Sequence, residues 1–329
     1  MNNSYTILAH PTHSDSAVSA SLTSPRLTKS GPKVMSIPFK NKHTAMKIPK
    51  SWVSVAAFGL VGVLISMGQA AHAQYTPSWD FDTPAVFQAA GPSADSIQST
   101  VNAFRAVPGL ETVNGNNPGP LQSGRREINW DGGNPNVLDT TAPVTPFNTF
   151  LNNRGSQFTT PGIGLSQAPT SGGPQGGLAT LFNNPTYANI FRAFSPSRLF
   201  TPVGSNRTEA LFFVPGSNGS VPATVRGFGV VFTGVDLPNG SGPAAKHGNR
   251  MASTKIDYFD LNGRLIFSSF VPSSPGDGGF SFFGIVFDDA RIARVRITTG
   301  NVAPGPDDEG RKDVVMMDDF IYSEPQALR

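Results

Sequence analysis

Carboxylates are the side chains on which any chemistry in this 329-residue chain has to rest, because cysteine is absent and histidine is confined almost wholly to one end. Without cysteine there is no thiol nucleophile, no thiolate zinc site and no disulfide. Of the five histidines, His10, His13, His43 and His72 precede an expected leader cleavage point, which leaves His247 alone in a Gly/Pro/Lys loop. A Ser-His-Asp site would have to use that residue, yet no G-x-S-x-G elbow presents a serine and no GK[ST] loop cradles a phosphate. His247 therefore reads as a solvated loop residue. Glu127, Glu209, Asp257 and Asp288 are the carboxylates that a glycosidase could draw on, but such an enzyme needs two of them roughly 5 to 10 Å apart, and none stands in a recognisable motif. No catalytic residue is assigned.

Asp318 and Asp319 are more informative. In a strand running from Val314 to Tyr322, a period of two puts Asp318 beside Met316 and Phe320 on one face, and Asp319 beside Met317 and Ile321 on the other. Both faces are otherwise apolar, so at least one carboxylate must find compensation inside the core. Three sources are open: an oxygen-ligated cation such as calcium, a salt bridge to Arg294 or Arg296, or hydrogen bonds from a neighbouring loop. Asp307 and Asp308, in the loop before the strand, could add ligands to such an ion, although acidic loops are more often simply solvated and the spacing is not that of an EF-hand. Trp130-Asp131-Gly132-Gly133 offers a ring and a polar group to a sugar; the competing reading is a buried tryptophan at a strand end followed by a turn.

The elements that must position these residues read as all-β with one short N-terminal helix. Ile97, Val101, Phe104 and Val107 recur at helical spacing between Ser93 and Pro108-Gly109. Residues 74 to 92 read as a loose arm, and 165 to 177 as a long glycine-rich excursion. Strands are expected at 125–130, 211–214, 225–232, 253–259, 265–271, 280–287, 293–299 and 314–322. Asn262-Gly263 marks a tight hairpin, with positive φ tolerated at both positions. Arg294-Val295-Arg296-Ile297 alternates as a strand with one wet face does. The architecture expected is a β-sandwich or jelly roll spanning 125–329, with 74–124 as arm, helix and loop.

Ahead of that domain, Val53 to Met67 is an uncharged apolar run, preceded by Lys47 and Lys50 and followed by Ala71-His72-Ala73. Those are the parts of a signal peptide, with cleavage expected between Ala73 and Gln74. The run is too short to span a bilayer, so no membrane span is expected after processing. Met46 is a conventional start for this leader, and residues 1–45 read as disordered or untranslated. Seven of the 25 Lys and Arg but only one of the 22 acids precede the cut, which leaves 18 bases against 21 acids, a net charge of about −3. That balance weighs against nucleic acid as a partner.

The C-terminal blocks Phe287 to Ile297 (FDDARIARVRI) and Val314 to Tyr322 (VVMMDDFIY), with Arg125 to Asp131 and Ser195 to Val214, resemble a set of uncharacterised exported bacterial proteins, many of which carry a PEP-CTERM sorting tail. The resemblance implies a secreted β-sandwich and supplies no activity. The chain ends at Ser323 to Arg329 without the tail's apolar helix, so release is expected in place of membrane sorting. The function these readings favour is a secreted or periplasmic, non-catalytic sandwich that binds an extracellular polysaccharide, with calcium as a structural ion. The alternatives are a structural or adhesive surface protein without a small ligand, and a carboxylate-based glycoside hydrolase.

Overall fold

Runs of β-branched and aromatic residues fold here into two antiparallel sheets, each offering one apolar face to the other. The computed structural model describes residues 83–132, 143–173, 176–237, 254–274, 276–310 and 312–328. The leader, its cleavage point and His247 lie outside them. The larger sheet contains β1 (Ala85–Gly91), β2 (Arg125–Ile128), β4 (Gly164–Pro169), β5 (Arg198–Val203), β8 (Gly227–Thr233), β11 (Phe280–Val286) and β13 (Met316–Ser323), in the order β1-β11-β8-β13-β5-β4 with β2 also on β13. The smaller holds β3 (Ser156–Thr159), β6 (Arg207–Phe212), β9 (Lys255–Phe259), β10 (Leu265–Phe270) and β12 (Arg294–Thr298), ordered β10-β9-β12-β6-β3. A short pair, β7 (Ala223–Thr224) with β14 (Gln326–Ala327), completes the strands among the described residues.

Between the sheets, Phe158, Tyr258, Val295 and Ile297 of the smaller meet Phe200, Phe228, Phe283 and Phe320 of the larger. Helices cover the larger sheet's other face. Helix α1 (Ala94–Arg105) lays Ile97, Val101 and Phe104 on Val231, Phe282 and Ile321. Gly284 permits that close approach, because a Cβ there would stand 2.9 Å from the Phe104 ring. After α2 (Leu151–Arg154), the short helices α3 (Gly177–Leu181) and α4 (Tyr187–Ile190) pack Leu178 and Tyr187 against Leu199 and Met316. This double cover explains why β8, β11 and β13 are buried at every residue. The smaller sheet instead alternates, with burial switching residue by residue along β12, as the pattern of Arg294 to Ile297 predicts.

Three local expectations change. The expected glycine-rich excursion at 165–177 begins as strand β4, paired with β5 from Gly164 to Pro169, and its last residue, Gly177, opens α3. Residues 85–91 form strand β1, paired along its whole length with β11, so this part of the expected arm belongs to the sandwich. The hairpin between β9 and β10 is present, but only Gly263 of the Asn262-Gly263 pair has positive φ, at 73°. Asp260 explains the difference: its carboxylate accepts from the N–H groups of Asn262 and Arg264, both at 2.9 Å, and its carbonyl accepts from Gly263 at 3.0 Å. That Asx-type closure holds Asn262 in ordinary backbone space and concentrates the left-handed demand on the glycine. No helix among the described residues is long and apolar enough to cross a membrane.

Candidate functional site

Strand β13 has β8 along one side, but its other side is divided. Met317 pairs with Phe200 of β5, whereas Phe320 to Ser323 pair with β2. At the split the register against β8 shifts between Met317 and Phe320. This bulge cancels the period of two on which opposite-facing aspartates were expected. Both carboxylates turn to the same partner: Ser195 Oγ lies 3.1 Å from Asp318 Oδ1 and 2.5 Å from Asp319 Oδ1.

The remaining donors come from the chain itself. The N–H groups of Phe194 and Ser195 donate to Asp318 Oδ2 at 2.5 and 3.3 Å. Arg105, from the last turn of α1, reaches Asp319 Oδ2 at 3.3 Å and grips Glu127 with two bonds of 2.9 Å. Arg125 adds a third bond to Glu127. Compensation thus comes from Arg105, a serine and two backbone amides; the expected partners Arg294 and Arg296 belong to the other sheet. Burial, then the neighbouring Asp319, pushes the Asp318 carboxyl well above the usual range. Burial also raises Asp319, against the pull of Ser195 and Arg105. Glu127 is lowered, since its bonds to Arg125 and Arg105 outweigh the burial that opposes them. The two carboxylates share one hydroxyl, and the deeper burial of Asp318 makes it the more readily protonated of the pair.

Trp130 is not available to a sugar. Its side chain is fully buried, one ring face stacks on Phe200 at 3.7 Å between centroids, and Phe320, Phe158, Phe150 and Phe147 surround it edge-on. Its indole N–H donates to the Asp318 carbonyl at 2.9 Å, satisfying a backbone group that the sheet split leaves without a strand partner. Asp131 is equally engaged, its Oδ1 accepting from the N–H groups of Ser197 and Arg198 at 2.7 and 2.8 Å. The buried-tryptophan reading of this motif is therefore the correct one.

Asp307 and Asp308 do not join Asp318 and Asp319. Lys312 pairs with Asp307, and Asp308 accepts from Asn184 and Thr186 at 3.0 and 2.8 Å. Among the described residues no group of three or more acidic or histidine side chains is placed to hold a metal ion. Near Asp308, a hollow of about 180 Å³ is lined by Asp236, Asp277 and Lys312. Asp313, buried with its Oδ1 accepting from the Asp236 N–H, has its carboxyl raised to about 7, chiefly by burial.

The outer face of the smaller sheet brings together Glu209, Asp257, Arg294 and Arg296. Register places Glu209, Arg296 and Asp257 in one row across β6, β12 and β9, with Leu211, Arg294 and Phe259 in a second and Arg207, Thr298 and Lys255 in a third. Glu209 accepts from Arg294 and Arg296 at 3.0 and 2.6 Å, and both guanidinium groups lie over the Phe259 ring, at 4.0 and 5.3 Å. Lys255 pairs with Asp257 at 2.8 Å. Glu209 and Asp257, two of the candidate glycosidase carboxylates, are thus each held by a cation on an open sheet, while Glu127 belongs to the Asp318–Asp319 network. The Arg-Val-Arg-Ile alternation signals this wet face; whether another layer covers it is a tertiary fact that one strand does not encode. Comparison with protein-family models, curated proteins and solved structures returns no match.

Proposed function

We propose that the chain is an exported, non-catalytic β-sandwich that binds an extracellular glycan on the outer face of its smaller sheet. The observation that carries this reading is the asymmetry of the two sheets: helices cover the outer face of the larger one, while the smaller alternates buried residues with partly exposed polar ones along β12. The signal-peptide pattern and the resemblance to exported bacterial proteins support secretion. A sheet face with polar side chains held by ion pairs suits a repeating sugar chain, which is bound through many hydrogen bonds along its length. We propose no ion at Asp318 and Asp319, since each carboxylate oxygen there has a hydrogen-bonding partner in the chain, the two Oδ1 atoms sharing the Ser195 hydroxyl. A glycan array probed with the chain processed at Ala73, with and without chelator, tests the reading: retention on a defined set of glycans is expected in both conditions, and no retention on any glycan would reject it.

A further inference from the structure

Resting on that reading, we infer that the smaller sheet's outer face selects an anionic, carboxylate-bearing polysaccharide, and that Arg294 and Arg296 are its principal contacts. Four cations, Arg207, Lys255, Arg294 and Arg296, stand on this face against two carboxylates, Glu209 and Asp257. The local excess is positive, although the chain beyond the expected cut is acidic overall, with 18 bases against 21 acids.

The arginines are preorganised without being used up. Each spends a single bond on Glu209, through Nη1 of Arg294 and Nε of Arg296, and each is held flat by Phe259 beneath it. Their remaining N–H groups belong to side chains about 30% exposed, 28% for Arg294 and 31% for Arg296. A guanidinium fixed by stacking and one ion pair loses little freedom when it takes a ligand carboxylate in bidentate fashion. Arg207 is exposed at the end of the sheet, in a row with Lys255.

Charge density separates this ligand from nucleic acid. Arg294 and Arg296 converge on Glu209 and the Phe259 ring, while Arg207 and Lys255 flank β12 on its two neighbours, about 10 Å apart. Four cations interleaved with two carboxylates suit a sparsely charged chain that also offers neutral sugar hydroxyls. Duplex DNA takes its affinity from many phosphate contacts on a continuous basic face, which these rows do not form.

Affinity electrophoresis of the processed chain through gels containing polygalacturonate, neutral dextran or duplex DNA decides the matter. Retardation by polygalacturonate alone is expected, fading as salt screens the contacts. Arg207→Glu, which disturbs no ion pair among the described residues, should weaken it about tenfold or more while melting normally, and the double variant Arg294→Gln/Arg296→Gln should weaken it at least as much, with a lower Tm because Glu209 loses both its cations. Retardation by dextran but not polygalacturonate would overturn the anionic selectivity and leave the glycan reading standing. Equal retardation by DNA, or undiminished binding by both variants, would overturn the inference; no retardation by any glycan would remove the glycan reading with it.

Discussion

Asp318 and Asp319, adjacent on one strand, both reach the hydroxyl of Ser195, at 3.1 and 2.5 Å. A strand without a bulge would send them to opposite faces. Their convergence sits where β5 gives way to β2 along β13, and it satisfies the loop at 194–195 and the end of α1 together.

The two positions should respond differently to amidation. Asp318→Asn keeps an acceptor for the Phe194 and Ser195 amides and removes a carboxylate whose charge burial disfavours, so it should cost under about 1 kcal/mol at neutral pH. Asp319→Asn removes the charge that Arg105 faces and should cost on the order of 2 kcal/mol. Urea denaturation measures both. Chelator should leave the wild-type Tm unchanged; a fall on chelation that Asp318→Asn abolishes would restore a bound cation to this cluster.

Asp313 predicts a pH-dependent difference between variants. Its folded carboxyl titrates near 7, above its ordinary value of 3.8, so between these pH values the folded state holds a proton that the unfolded state has lost. Stability attributable to this group therefore declines as pH rises from about 4 to 7 and is flat beyond. Asp313→Asn should match wild type near pH 4 and exceed it at pH 8 by on the order of 4 kcal/mol. Thermal melts across that range check it, and a constant difference between the two proteins would count against the titration.

At the hairpin, Gly263→Val should cost on the order of 1–2 kcal/mol, because φ is 73° while the space around the missing Cβ is open. Strain is the only penalty, so Gly263→Asn should recover much of it. Equal melting of all three proteins would show that the turn relaxes without the left-handed residue.

Trp130→Ala should remove on the order of 3–5 kcal/mol, the cost of a large aromatic leaving a packed core. Denaturant titration would reveal a loss under 1 kcal/mol if the ring were at the surface instead.

Periodicity made the central strands and α1 legible, because their apolar residues repeat at the spacing of the element that buries them. Strand β1 was not, since Ala85 to Gly91 has neither strong β-formers throughout nor alternation; it is a strand because β11 offers it an edge. Strands β3 to β5 were obscured by glycine and proline, which mark turns more often than strands. At the site, an aspartate pair inside an apolar strand announced a need for compensation. It could not name Ser195 or Arg105, whose approach depends on the bulge and on where α1 ends. Trp130 had two readings in sequence, and only the packing of Phe200 against its ring distinguishes them.

The most direct test of glycan binding on the open sheet is an NMR titration of the processed chain with oligogalacturonate, following arginine Nε–H and tryptophan indole resonances. Shifts are expected at Arg294 and Arg296, with the Trp130 indole, buried and bonded to Asp318, unmoved. Shifts at Trp130 and Asp131 with both arginines silent would contradict it.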